Sequence, residues 1–125
     1  MKVKFKLPFK TPTINHLYWH KGNIKIMKTE AKELRNKIIE ICNKKIGNKK
    51  DFMNDNKLKV NTEIYEDWYT KKGLVKKKDL SNREKFLVDS IFKAIDLDDK
   101  FIFEHTMKKI QSDKEFVIVT IETIK

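Results

Sequence analysis

Residues 116–124, FVIVTIETI, set the tightest limit on what this chain can build. A strand with one wet face alternates apolar and polar side chains, but here Phe116 and Ile118 on one side are matched by Val117, Val119 and Ile121 on the other. Such a strand belongs in the middle of a sheet, with strands beside it and other elements over it. The rest of the chain has to supply both. MKVKFKLPF gives one neighbour, with Val3, Phe5 and Leu7 alternating against Lys2, Lys4 and Lys6 until Pro8 and Pro12 end the run. Leu58, Val60, Thr62 and Ile64 alternate in the same way with Lys59, Asn61, Glu63 and Tyr65. FIFEHTMKKI reads as a further strand, and the short QSDKE that joins it to FVIVTIETI predicts a hairpin.

The cover comes from two stretches where the apolar period lengthens. Ala31, Leu34, Ile38 and Ile41, with Cys42 beside them, recur at helical spacing and predict a helix over 29–46. Glu30 and Glu33 near its start and Lys44 and Lys45 at its end suit the helix dipole, and Gly47 is a natural stop. Leu87, Val88, Ile91, Phe92 and Ile95 form a broad stripe that predicts a second helix over 82–96, broken by DLDD. KTPTINHLYWHKGN reads as a long loop and NKKDFMNDNK as a surface connection. The order is β-α-β-α-β-β: one α+β domain over residues 1–125, a mixed sheet of about four strands covered by two main helices.

Lys+Arg 29 against Asp+Glu 18 leaves this chain of 125 residues with a formal charge of +11. Two explanations fit: a polyanionic partner such as nucleic acid, or a lysine-rich composition, since Arg35 and Arg83 are its arginines. A single cysteine, Cys42, allows neither an internal disulfide nor a cysteine-based zinc site, and its place on a helix's apolar face makes it a small hydrophobe. No apolar run reaches the ~18 residues of a membrane span and no apolar signal core opens the chain, so the expectation is a soluble cytoplasmic protein with no membrane partner.

KKKDLSNREK, residues 76–85, concentrates lysines around one carboxylate at the start of the second helix. Asp79 precedes that helix, and Asp98 and Asp99 follow it. Clustered carboxylates repel one another unless a cation neutralises them, and in a basic chain a divalent metal held by aspartates and substrate phosphates would do so. The other reading is a solvated loop acid and two helix-terminating residues. SNRE at 81–84 also fits a capping box, with Glu84 reaching back to Ser81, and Lys85 and Asp89 are spaced to pair along one helical face. Tyr18, Trp19, Trp68 and Tyr69 are candidates either for stacking on exposed bases or for packing a loop or subunit interface. His16, His20 and His105 are scattered, and His105, in line with Phe101, Phe103 and Met107, reads as a core or interface residue.

DLSNREKFLVDSIFKAIDLDD resembles the signature of the RusA-type Holliday-junction resolvases, approximately Asp-Leu-Asp-Asn, a following lysine, a helical aspartate, and Leu-Asp-Asp after the helix. LPFKTPTINHLYWH is similar to the same family's opening strand and loop, so the resemblance covers nearly the whole chain. It implies a small homodimeric endodeoxyribonuclease that binds four-way DNA junctions and cuts paired strands with Mg²⁺, Mn²⁺ being a possible substitute, in DNA recombination and repair. Carried over residue by residue, Asp79 and Asp99 match acidic metal ligands, with Asp98 beside them, and Lys85 matches the lysine near the scissile phosphate. Asn15 and Asn82 match the loop and motif asparagines, and Asp89 matches the helical aspartate. Lys71, Lys72, Lys76, Lys77 and Lys78 would hold DNA phosphates.

Ser81 departs from the pattern, standing where the family has its second motif aspartate. A neutral hydroxyl is a poor substitute for a carboxylate at an octahedral Mg²⁺. Asp98, Asp67, Glu66 or water could supply what is missing; otherwise the chain is a relative that binds junctions without cutting them. A third reading is an unrelated α+β RNA-binding protein, which would need aromatics on adjacent strands of an open sheet face. The charge yields a first prediction. DNA binding, followed by fluorescence anisotropy, should weaken roughly tenfold or more between about 50 and 200 mM salt, and a flat response would remove the electrostatic argument.

Overall fold

A computed structural model describes residues 2–12, 18–46 and 57–124. Strand β6 (Phe116–Ile124) runs through the middle of a four-stranded sheet, as its apolar faces require, between β1 (Lys2–Leu7) and β4 (Lys57–Glu66). Both neighbours are antiparallel to it, and β5 (Ile102–Gln111) closes the far edge parallel to β4. The order β1-β6-β4-β5 makes a mixed sheet in an α+β fold.

One face of this sheet is dry. Leu7 lies across from Val117 and Phe5 from Val119, and on the other side of β6 Ile64 lies across from Val117 and Thr62 from Val119. Helices α1 (Thr29–Lys45) and α2 (Ser81–Ile95) close over that face with Ala31, Ile38, Cys42, Phe86, Leu87, Ile91 and Ile95, all buried in one core. Burial pushes the Cys42 thiol up to about 12, so it stays protonated and inert. The opposite face carries Lys2, Lys4 and Lys6 with Asn61, Glu63, Phe116 and Ile118, none of them fully buried. On it Tyr65 and Phe116 stack on each other at 4.3 Å, with the Lys6 ammonium over the Phe116 ring.

Four expectations need correction. β5 and β6 do not form a hairpin: β4 lies between them, and the 112–115 turn passes the end of β4, where Ser112 N–H donates to Glu66 O at 3.0 Å. The strand apolar on both sides takes the centre and the charged one takes the edge, which outweighs the pull of a short connection. The stretch read as a loop contains a small hairpin, β2 (Tyr18–Lys21) and β3 (Ile24–Met27), turning at Gly22 with φ +62. Tyr18 and Met27, paired across it, pack on the main core.

The capping box is absent. Ser81 is the first residue of α2 and caps nothing, because Leu80 ahead of it is already helical and Glu84 turns instead to His105 Nδ1 at 3.1 Å. Finally, Phe103 does not share a face with His105. A bulge in the β4–β5 ladder leaves Phe103 opposite no partner and turns it to solvent, while His105 is half-buried. Lys85 and Asp89 form no ion pair among the described residues. Gly47, Asn15, His16 and most of the NKKDFMNDNK connection lie outside the described residues.

The two sheet faces should differ in mutational cost. Ile121→Ala, on the helix-covered face, should lower the unfolding free energy by about 2–5 kcal/mol in urea titration. Ile118→Ala, on the open face, should cost less than half as much, and equal losses would show that the open face is covered too.

Candidate active site

β4 delivers the chain to the site. Its last residue, Glu66, is 1% exposed, and its carboxylate would be untenable there without partners. Arg83, equally buried on the first turn of α2, supplies them: Nη1 donates to Oε1 at 2.7 Å and Nη2 to Oε2 at 3.3 Å. Lys78 Nζ adds a third bond to Oε2 at 3.0 Å. Burial pushes the Glu66 carboxyl up, but the hydrogen bonds and charges of Arg83 and Lys78 outweigh it and hold it below its ordinary value. The Lys78 ammonium lies below its ordinary range chiefly through desolvation, with Glu66 opposing and Lys10 adding repulsion. Trp68 closes this corner, its indole ring meeting both the Arg83 guanidinium and the Lys109 ammonium and its Nε1 donating to Ile64 O and Ile110 O.

From this corner α2 carries the rest of the motif. Asp79 and Leu80 make its lead-in turn, Asn82 N–H donating to Asp79 O at 3.3 Å and Arg83 N–H to Leu80 O at 2.9 Å. Asp79, Ser81 and Lys85 are exposed, and Asn82 is half-buried. Ser81, Lys85 and Asp89 follow at four-residue steps, so they share one face of the helix. At the far end Asp96 adopts the left-handed conformation with φ +55, and Leu97 N–H closes back on Phe92 O, a helix stop that an aspartate tolerates. The reversal brings Asp98 and Asp99 back toward Asp89.

These acids line an open cleft of about 630 Å³ together with Asp96, Tyr18, Arg35, Phe92, Lys93 and Leu97. Its carboxylates are Asp89, Asp96, Asp98 and Asp99 and its cations Arg35 and Lys93, so it is an acidic pocket on a basic protein. Asp98 Oδ1 accepts from Lys100 N–H at 2.9 Å, which holds its carboxyl below the ordinary value. Asp99 is raised instead, first by a hydrogen bond shared with Asp98, then by slight burial and by the charges of Asp98 and Asp89. Asp98 and Asp89 are like charges beside it, which disfavour its ionised form.

α2 separates the predicted ligands. Asp79 precedes a 15-residue helix and Asp99 follows it, and such a helix is about 22 Å long. Asp79 is not among the groups that perturb Asp99. Among the described residues no set of three or more His, Cys, Asp or Glu side chains is arranged to hold a metal ion. Nor is Glu66 free to replace the carboxylate missing at Ser81, since Arg83 and Lys78 occupy both its oxygens. Asp67 is taken too, its Oδ1 accepting from Gln111 Nε2 and Tyr69 N–H. Of the predicted phosphate lysines, Lys71, Lys72 and Lys77 are exposed, Lys76 sits 3.9 Å from Asp67, and Lys78 is turned inward to Glu66.

The cleft also holds residues that sequence reasoning did not select. Arg35 of α1 reaches it while donating from Nε to Ser90 Oγ at 3.2 Å. No local signal marks it, because its role depends on how α1 packs on α2. Lys93 on α2 and Asp96 just past its end follow Asp89 closely in the chain, and their spacing from it was a readable signal.

The sequence profile of the family described as Endodeoxyribonuclease RusA matches residues 8–122, which include both ends of α2, the cleft and the basic loop. A comparison with curated proteins finds no match.

The buried pair predicts a large and pH-dependent effect. Glu66→Gln, which leaves Arg83 buried and underpaired, should destabilise by about 3–5 kcal/mol, whereas Glu66→Leu with Arg83→Met should recover most of that loss. Because the Glu66 carboxyl is held below its ordinary value, its contribution is complete above the unfolded-state value and is lost as pH falls through the folded one. Urea midpoints measured against pH should show that acid-side loss in the wild type and not in Glu66→Gln.

Proposed function

Because the chain belongs to the RusA endodeoxyribonuclease family, we propose that it is a Mg²⁺-dependent nuclease that resolves four-way DNA junctions as a homodimer. The match over residues 8–122 carries this reading, and the charge of +11 supports it by suiting the chain to a polyanion. The chemistry of the donors suits the ion: Asp98 and Asp99 offer hard carboxylate oxygens of the kind Mg²⁺ prefers, with Asp89 and Asp96 in the same cleft. Asp98 and Asp99 would hold it, and because Asp79 stands at the other end of a helix about 22 Å long, it would serve the same ion only from a second copy of the chain. When bound, the ion supplies charge for a developing phosphorane and acidifies water.

The chain's own groups do the remaining work. Lys85, on the α2 face between Ser81 and Asp89, would meet the phosphate as negative charge develops on it. Lys71, Lys72, Lys76 and Lys77 would hold the flanking backbone in register, and Asn82 would add a hydrogen bond beside them. Asn15 belongs to the same interface by its place in the family pattern.

A second reading has a specific observation behind it. Ser81 brings no charge, and two of the acids that could replace the missing carboxylate, Glu66 and Asp67, are already engaged. On that reading the chain binds junctions but does not cut them. Incubation of a labelled four-way junction with and without Mg²⁺ decides between the two. For an active enzyme, Asp79→Asn and Asp99→Asn should each abolish nearly all cutting while leaving junction binding intact or slightly tighter, because repulsion toward phosphate is relieved. Ser81→Asp should raise the cutting rate if the missing carboxylate is limiting. Failure of both the wild type and Ser81→Asp to cut in Mg²⁺ or Mn²⁺ would leave only the binding role.

A further inference from the structure

The loop between β4 and α2 is built more firmly than its exposure would suggest. Trp68 anchors its base, 3% exposed, with its own N–H donating to Gln111 Oε1 at 2.8 Å. Asp67 holds the next residue through Tyr69 N–H at 3.1 Å and is itself fixed by Gln111 Nε2 at 2.9 Å. Thr70 then closes the turn three times: its N–H donates to Leu74 O at 2.7 Å, its carbonyl accepts from Gly73 N–H at 2.9 Å, and its hydroxyl accepts from Leu74 N–H at 3.1 Å. Gly73, with φ +79, takes a conformation few other residues allow, Tyr69 and Val75 pair across the turn, and Lys76 N–H returns to Trp68 O.

This rigid tip presents apolar side chains to water. Leu74 is 65% exposed, Val75 62% and Tyr69 44%. An ordered backbone that holds large apolar groups in solvent gains nothing from them in the free protein, and such a patch marks a contact surface. The charge around it selects the partner. Lys71, Lys72 and Lys77 are exposed beside the crown, Lys76 is half-exposed, and Asp67, the acid at the base, is engaged by Gln111 and Lys76. Apolar groups on a loop that also carries exposed lysines suit a place where base faces are exposed between phosphates. An intact duplex hides its base faces and a branch point does not.

We propose that Tyr69, Leu74 and Val75 form a wedge that enters the base stack at a DNA branch point while the surrounding lysines hold the phosphates. This deepens the nucleic-acid reading above and rests on it. The wedge is also positioned relative to the motif. Lys78 and Arg83 both bind Glu66 at the base of the loop, so a tip seated in the branch would fix its distance from Asp79, the residue after Lys78.

The test uses the full chain, a four-way junction carrying 2-aminopurine at the branch, and a linear duplex of the same sequence. Wild type should raise the 2-aminopurine fluorescence, which reports unstacking. Leu74→Ser with Val75→Ser should abolish that rise and weaken junction binding about tenfold, leaving duplex binding, the salt slope and the urea midpoint unchanged. Lys71→Ala with Lys72→Ala should instead weaken binding to both DNAs and reduce the salt slope by about two. A Leu74→Ser/Val75→Ser protein that keeps its junction preference and its fluorescence rise overturns the wedge, and cutting by the wild type would then leave the family reading standing. Conversion of a dimer to a monomer by the same change, seen in sedimentation, assigns the crown to a subunit seam and also overturns the wedge. A wild type that neither prefers nor cuts junctions removes the wedge and the nuclease reading together.

Discussion

Glu66 and Arg83 leave water together at the point where β4, the basic loop and α2 meet, and much of the molecule is arranged around that pair. Neither charge would be stable alone at 1% exposure, so their mutual satisfaction fixes the end of a strand against the start of a helix. Lys78 takes the remaining capacity of Glu66, and Trp68 covers the Arg83 guanidinium with its ring. Such a pair adds less net stability than its short distances suggest, because desolvation offsets most of the attraction. Its contribution is geometric: a strand end, a rigid loop and a helix N-terminus can meet in one arrangement.

α2 then acts as a spacer between two surfaces of opposite sign. The loop before it is rich in exposed lysines, and the cleft after it gathers Asp89, Asp96, Asp98 and Asp99. The left-handed turn at Asp96 lets the last of these acids fold back toward Asp89. A phosphate backbone drawn to the basic end would meet this acidic pocket as a repulsive feature unless a cation were held there.

The open sheet face bears on the RNA-binding alternative. It does carry aromatics on adjacent strands, Tyr65 on β4 and Phe116 on β6. Their rings are stacked on each other, and Lys6 covers Phe116 from above, so Phe116 has little free ring surface to offer a base. This pair supports the sheet more than it suggests a ligand.

Strand and helix positions were legible in the chain because each burial face repeats at a fixed period. FVIVTIETI had to be central, and both helices lie within a residue of where their apolar stripes place them. The motif around Asp79 was legible because family likeness is a property of residue order. What periodicity does not encode is adjacency between elements distant in sequence. QSDKE is short enough for a hairpin, yet β4 separates β5 from β6, because which strand lies beside which depends on the whole sheet's burial. SNRE has the form of a capping box, yet His105, 21 residues from Glu84 along the chain, takes that side chain away. The same holds for the site. The sequence by itself determined that aspartates flank α2, and only the tertiary structure decided that Asp89 joins Asp99, that Arg35 enters their cleft and that Glu66 is bound to Arg83. Local order fixes which face a side chain occupies; its partner is chosen by packing, where a charge removed from water must find its counter-charge wherever the fold has placed one.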